Sequence, residues 1–245
     1  MSLPPPKKAA TGGRAAPQPA SGGGGAQPPG IRPATPPDMS SYYAGSGGGC
    51  FAPTSTVQRL PASGEGEEET VRIGELRKGD LVRTANGTQS TVECLVQIAR
   101  APAKSMVRLP RSGLTITGKH PVCLGDGEWV LPKDVEGAEL LSCAELGLTA
   151  VFNVVLSGAA ADAKVLVVNG VDCITWRHDL QAPPLLRHAF FGTSRVVDSL
   201  KAIDALGYAR GFVQVDGCVR DSASADGVTV LGLTARKAVE VPAEA

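Results

Sequence analysis

The chain has 245 residues, no formal net charge and a hydrophobic content of 42%, which is enough for one large or two small domains with a proper core. The neutral charge argues against nucleic acid as a main partner, and no apolar run reaches the length of a membrane span. The N-terminus lacks the apolar segment of a signal peptide. We therefore expect a cytoplasmic protein with no membrane partner, whose six cysteines are mostly reduced thiols.

Residues 1–49 are predicted to form a disordered tail. Glycine and proline make up 21 of these 49 residues, and such a composition cannot bury enough apolar surface to offset the entropy lost on ordering. The tail ends in a glycine-rich linker at residues 45–49, and the composition changes abruptly at Cys50. We predict a folded domain over residues 50–233 and a second tail over residues 234–245.

Short strands separated by turn signals follow from Cys50 onward. Two Asn-Gly pairs, at residues 86–87 and 169–170, predict tight hairpin turns because both residue types tolerate a positive φ angle. Strands at this spacing, without helices alternating between them, predict an all-β domain. The predicted strands cover residues 54–57, 71–73, 81–84, 91–98, 106–109, 114–117, 122–124, 129–131, 151–156, 165–168, 171–175, 212–215 and 228–231.

One late helix is predicted over residues 194–206. Thr193 or Ser194 is suited to cap its N-terminus, and Gly207 follows its last residue. Its apolar residues recur at helical spacing and would form one face: Val196, Val197, Leu200, Ile203 and Leu206.

His120 is one of only three histidines and lies on a predicted turn that leaves the strand at residues 114–117. A histidine in that position is held by a sheet and can take part in chemistry, although an ordinary turn histidine fits the pattern as well. The same stretch, residues 113–120, falls one residue short of a phosphate-binding loop. That loop requires Ser or Thr as a magnesium ligand where this chain has His120, so nucleotide binding is disfavoured.

Cys50 lies at the junction between the predicted tail and the predicted domain, where a structural cysteine is not expected. If its thiol attacked the carbonyl carbon of Gly49, the peptide bond would become a thioester that carries the tail on sulfur. That step loses amide resonance, so the protein would have to strain the bond and supply a proton to the departing amine. His120 could donate this proton, and Thr117 could supply a neighbouring hydroxyl that steadies the histidine.

Several segments resemble the Hint domain, the self-processing module shared by Hedgehog carboxy-terminal regions and inteins. Residues 50–57 (CFAPTSTV) and 73–82 (IGELRKGDLV) resemble its opening, and residues 117–120 (TGKH) match its T-x-x-H block. The later segments resemble the Hint modules that accompany von Willebrand A domains: residues 151–156 (VFNVVL), 168–175 (VNGVDCIT), His178, 190–193 (FFGT) and 220–221 (RD). The resemblance implies a compact, Hint-type β-sheet domain.

Carried over residue by residue, the resemblance implies that Cys50 is the nucleophile and that Thr117 and His120 assist it. Cys173 would correspond to the second cysteine of Hedgehog-type modules, although a buried structural thiol fits equally well. His178 would correspond to a histidine of the von Willebrand-associated branch, although a loop residue fits as well.

The chain also departs from the family pattern. No His-Asn pair precedes a downstream Cys, Ser or Thr, so full splicing is not supported, and no aspartate lies between Thr91 and Arg100, so sterol transfer is not supported. The T-x-x-H block has Gly118 and Lys119 where the von Willebrand-associated branch usually has Pro and Trp. A lysine close to His120 would lower the histidine pKa by charge repulsion.

The resulting hypothesis is a domain that cleaves its own chain before Cys50, with the N-terminal segment as substrate and with water, a thiol or an amine as the external nucleophile. No cofactor and no metal are expected, since the irregular spacing of Cys123, Cys143, Cys173 and His178 disfavours zinc. One alternative is an inactive Hint-like module with a binding or structural role. Another is a cysteine hydrolase that acts on other substrates.

Overall fold

The computed structural model describes residues 48–64, 66–99, 105–125, 127–221, 223 and 229–236. The predicted tails fall outside these residues except at their inner ends. Gly48 and Gly49 are buried, and residues 234–235 extend the last strand. The two residues upstream of Cys50 are therefore buried, and the last strand ends two residues beyond the predicted domain end.

Fourteen strands and two α-helices occur among the described residues. The strands are β1 Thr56–Leu60, β2 Glu69–Arg72, β3 Leu81–Arg83, β4 Gln89–Ala99, β5 Ser105–Arg108, β6 Thr115–Thr117, β7 Val122–Cys123, β8 Trp129–Val130, β9 Glu139–Ser142, β10 Ala150–Leu156, β11 Val165–Val168, β12 Val171–Ile174, β13 Phe212–Arg220 and β14 Val230–Ala235. The helices are α1 Ser194–Ile203 and α2 Ala205–Arg210. Both helices fall short of the length and apolar character needed to cross a membrane.

The strands form two sheets. The larger has the order β14-β13-β4-β3-β1-β11-β12-β7-β8, with β10 also paired to β4 and β2 to β1, and the smaller has the order β6-β5-β9. Strands β13 and β4 run parallel, whereas the other strand pairs of the described chain are antiparallel. This mostly antiparallel architecture confirms the predicted all-β fold class.

Both Asn-Gly turns form where they were predicted. Asn86 and Gly87 have φ angles of 56° and 70° between β3 and β4, and Asn169 and Gly170 have φ angles of 50° and 75° between β11 and β12. Strand β9 was not predicted, because its sequence, ELLS, lacks the β-branched and aromatic residues that mark a strand.

Residues 50–52 pass between two hydrophobic clusters. Cys50 and Ala52 belong to one, together with Trp176 and Val155, and Phe51 belongs to the other. This alternation is the expected result of an extended backbone, whose successive side chains point to opposite sides. The residue predicted to be the nucleophile is therefore part of the core.

The structure confirms the late helix over Ser194–Ile203 but breaks it at Asp204, so that a second helix follows. Asp204 has the non-helical angles φ −155° and ψ 82°, and its carboxylate accepts a hydrogen bond from Gly207 N at 2.8 Å, which caps α2. The predicted apolar face ends at Ile203, and Leu206 is 69% exposed. Gly207 lies inside α2, and the left-handed residue that ends the helix is Gly211, with a φ angle of 89°. Thr193 caps α1 as predicted, since its side chain accepts from Arg195 N.

We expect Asp204→Ala to lower the free energy of unfolding by about 1 kcal/mol, because it removes the side-chain acceptor that caps α2. Urea unfolding followed by circular dichroism measures the change. Asp204→Asn is the matched control, since it keeps the acceptor and should retain most of the stability. An equal loss in both variants would contradict the capping role.

Candidate functional site

Residues 51 and 52 are held between β10 and β6 by backbone hydrogen bonds. Phe51 N donates to Phe152 O at 2.7 Å, Phe152 N donates to Phe51 O at 2.9 Å, and Ala52 N donates to Thr115 O at 3.0 Å. The segment thus behaves as an extra strand between the two sheets. It fixes the preceding peptide bond, between Gly49 and Cys50, inside the protein.

Thr117 holds Cys50 through two hydrogen bonds. The backbone N–H of Cys50 donates to Thr117 Oγ1 at 2.9 Å, and Thr117 N donates to Cys50 O at 2.9 Å. Because Thr117 ends β6, the strand geometry places its hydroxyl directly on the amide nitrogen that would become the leaving amine. The structure therefore brings together Cys50 and Thr117, as the sequence predicted.

Two side chains donate to the carbonyl oxygen of Gly49. Asn153 Nδ2 lies 2.8 Å from this oxygen and Trp176 Nε1 lies 3.1 Å from it. The orientation of the Asn153 amide is set by two further bonds, since its Oδ1 accepts from Val154 N at 2.8 Å and from Trp176 N at 2.9 Å. Paired donors of this kind polarise a carbonyl and stabilise negative charge on its oxygen.

Neither donor was predicted from the sequence. Asn153 is the one polar residue in the otherwise apolar strand β10, and it is 1% exposed. A buried amide in an apolar strand must find hydrogen-bond partners, so this residue could have been singled out. Trp176 carries no comparable signal, because a tryptophan after a strand is usually only part of a core.

The His120 ring lies against the Gly49–Cys50 peptide. Its Nε2 is 2.7 Å from Ile174 O, and since a carbonyl can only accept, Nε2 carries the proton in the neutral ring. Nδ1 is buried without a hydrogen-bond partner among the described residues. A Cβ atom built on Gly49 would lie only 2.7 Å from Nδ1, so this unprotonated nitrogen faces the peptide.

Burial lowers the pKa of His120 to about 4, and interactions with the backbone of Ile174 and of Cys50 act in the opposite direction. The ring is therefore neutral at pH 7, and the main cause of the lowered pKa is burial. A neutral ring with Nδ1 unprotonated is a proton acceptor. It can donate to a departing amine only after it has taken up a proton.

Cys173 lies in a different part of the core from Cys50. It is fully buried in β12, belongs to the cluster that contains Phe51, and its thiol donates to Val171 O at 3.4 Å. Burial raises the pKa of the Cys173 thiol well above its usual range, which disfavours the reactive thiolate. These surroundings are those of a buried structural thiol, the alternative given for Cys173 from the sequence.

His178 is buried and follows Trp176 by two residues in the chain. Its Nδ1 accepts from Leu180 N at 3.0 Å, and burial lowers its pKa to about 4, partly offset by Asp179. Its ring packs against Gly192, whose N–H donates to Trp176 O at 2.7 Å. His178 thus contacts the backbone that positions Trp176. Among the described residues, no three His, Cys, Asp or Glu side chains are arranged to hold a metal ion.

The family model of the Hint domain named Vint matches residues 49–228, which is well over half of the chain. No curated protein matches. Among solved structures, the chain is similar to a DnaB intein from Synechocystis sp. PCC 6803, with 12% identity, a TM-score of 0.36, and coverage of 52% of this chain and 98% of that one. A gp41-1 intein variant has 14% identity, a TM-score of 0.36 and coverage of 52% and 100%. The VidaL intein has 19% identity, a TM-score of 0.36 and coverage of 52% and 97%.

The family-model match begins one residue before Cys50 and includes Thr117, His120, Asn153 and Trp176, so the site described above lies within it. That the chain is closest to the Hint modules that accompany von Willebrand A domains stays a prediction from the sequence. The chain belongs to the Hint-domain family, the family of self-processing domains to which its sequence resemblance pointed.

Proposed function

We propose that this domain cleaves its own chain between Gly49 and Cys50 through a thioester intermediate, in the cytoplasm and without a cofactor. The observation that carries the proposal is the pair of donors, Asn153 and Trp176, on the carbonyl oxygen of Gly49. A buried peptide carbonyl needs one partner to be satisfied, and a second donor on the oxygen that becomes negative during attack favours catalysis.

In the first step, Cys50 Sγ attacks the carbonyl carbon of Gly49 and forms a C–S bond within a five-membered ring. The electron pair of the C=O bond moves to the oxygen, where Asn153 Nδ2 and Trp176 Nε1 stabilise it. Collapse of this intermediate breaks the C–N bond. The products are a thioester on Cys50 and a free amine at the same residue.

His120 carries the proton between these two events. The Cys50 thiol loses a proton as it attacks, and the departing amine gains one, so the net change is one proton moved from sulfur to nitrogen. Nδ1 of the neutral ring can accept the proton from the Cys50 thiol and then donate it to the departing amine. Thr117 Oγ1, which accepts the Cys50 N–H bond at 2.9 Å, holds the nitrogen in place until it leaves.

Water, a thiol or an amine then attacks the thioester. Water yields a carboxylic acid at residue 49, and an external thiol yields a new thioester there. In each case the Cys50 thiol is regenerated, and the N-terminal segment is the substrate of a single turnover.

We expect Cys50→Ala to abolish cleavage, because alanine has no nucleophile. Intact mass measured on the full chain, with and without dithiothreitol, checks this. The wild type should lose residues 1–49, faster with the thiol, and Cys173→Ala should behave like the wild type because that thiol lies in the other core cluster. An uncut wild-type chain would instead favour the inactive Hint-like module.

We expect Trp176→Phe and Asn153→Asp each to slow cleavage by about 100- to 1,000-fold, because each removes one donor from the Gly49 oxygen. Asn153→Asp keeps the side-chain shape, and Trp176→Phe keeps an aromatic ring in the core. The rate of dithiothreitol-induced cleavage, followed by mass spectrometry, gives the effect. Trp129→Phe is the matched control, since the other tryptophan lies in β8 and should leave the rate unchanged. Equal rates in all variants would exclude the donor role.

The cleavage rate should stay nearly constant between pH 7 and 5.5, because a His120 pKa of about 4 leaves the ring neutral throughout this range. A histidine with an ordinary pKa near 6.5 would lose about eightfold of its neutral form over the same interval. Cleavage by hydroxylamine at constant free-base concentration measures the profile. His178→Asn, which keeps an acceptor for Leu180 N, should share the flat profile, and an eightfold fall would contradict the assignment.

A further inference from the structure

We propose that this site accepts only Gly-Gly as the last two residues of the segment that it releases. The inference rests on the proposed cleavage before Cys50 and names the class of acyl group that the domain can transfer. Three aromatic side chains set the restriction: His120 acts on residue 49, and Trp176 and Phe191 act on residue 48.

His120 occupies the space that a side chain at residue 49 would need. A Cβ atom on Gly49 would lie 2.5 Å from His120 Cγ and 2.8 Å from its Cβ, well inside any tolerated contact between carbon atoms. These two atoms are at the base of the side chain, so rotation of the ring does not remove the clash. The ring is also fully buried, bonded to Ile174 O, and packed on Phe51 at a centroid distance of 4.5 Å.

A second restriction operates at residue 48. Gly48 has a φ angle of 70°, in the left-handed region that favours glycine. A Cβ atom there would lie 2.8 Å from Phe191 Cε1 and 2.8 Å from Trp176 Nε1. This nitrogen is the one that donates to Gly49 O at 3.1 Å. A side chain at residue 48 would therefore displace a donor from the reacting carbonyl.

The aromatic side chains that contact residue 48 are tightly packed and cannot move aside easily. Phe191 and Trp176 are 3% and 2% exposed, and their ring centroids are 5.4 Å apart. Phe190 packs edge-on against Phe191 at 5.2 Å. Core packing of this kind resists even small added volumes, so an alanine at residue 48 would push on several rings at once.

The test compares Gly49→Ala and Gly48→Ala with the wild type in the full chain, by intact mass during dithiothreitol-induced cleavage. We expect each variant to cleave at least about tenfold more slowly. Gly217→Ala is the matched control, because a Cβ atom there meets only Thr234 Oγ1 at an ordinary 3.7 Å, and it should cleave like the wild type. If the wild type cleaves and both Gly48 and Gly49 variants keep its rate, the Gly-Gly restriction is overturned while the proposed cleavage stands. If the wild type is not cut, the proposed cleavage itself is overturned.

A second pair of variants separates a local clash from a general loss of folding. Phe191→Ala combined with Gly48→Ala removes one of the two aromatic side chains that a Cβ atom at residue 48 would meet. This double variant should recover part of the cleavage rate lost in Gly48→Ala. The recovery is partial because residue 48 keeps its left-handed backbone. Phe191→Ala combined with Gly49→Ala should recover nothing, because His120 causes that clash. Recovery in both double variants, or in neither, would overturn the assignment of Phe191 to residue 48 and of His120 to residue 49.

Discussion

The burial of one peptide bond, between Gly49 and Cys50, governs the arrangement of the whole site. Residues 51–52 form an added strand between β10 and β6, which carries the bond into the core. A buried peptide must have its N–H and C=O groups satisfied by protein atoms. Thr117 satisfies the N–H group, and Asn153 and Trp176 satisfy the C=O group. These atoms hold the bond in the structure, and they also lie where charge and protons would move in the proposed cleavage.

Burial affects the titratable groups of the domain in opposite directions. It lowers the pKa of His120 to about 4, so the ring rests as a neutral acceptor with Nδ1 toward the peptide. The same physical effect raises the pKa of Cys173 and keeps that thiol protonated. Position relative to the Gly49–Cys50 bond then separates the two: His120 lies against the bond, whereas Cys173 lies in the other hydrophobic cluster. Low solvent access thus favours a neutral imidazole at one position and a protonated thiol at another.

Much of the fold and part of the site could be predicted from local sequence. The Asn-Gly turns and most strands depend on backbone preferences of neighbouring residues, which short patterns record well. The helix break at Asp204 was missed because a side-chain cap competes with helical spacing, and spacing alone favours continuation to Leu206. Cys50, Thr117 and His120 could be singled out because each lies in a short motif beside a turn or boundary, and the structure places them close together.

The sequence by itself determined the strand pattern, the position of Cys50 and the Thr117–His120 pair, because these features depend on residues close together in the chain. Only the tertiary structure decided which groups meet the Gly49 carbonyl, since Asn153 and Trp176 lie 104 and 127 residues away from it. It also decided the protonation state of His120, which depends on how completely the assembled core excludes water. Such long-range contacts follow from the pairing of strands that are distant in sequence, and no local pattern encodes them.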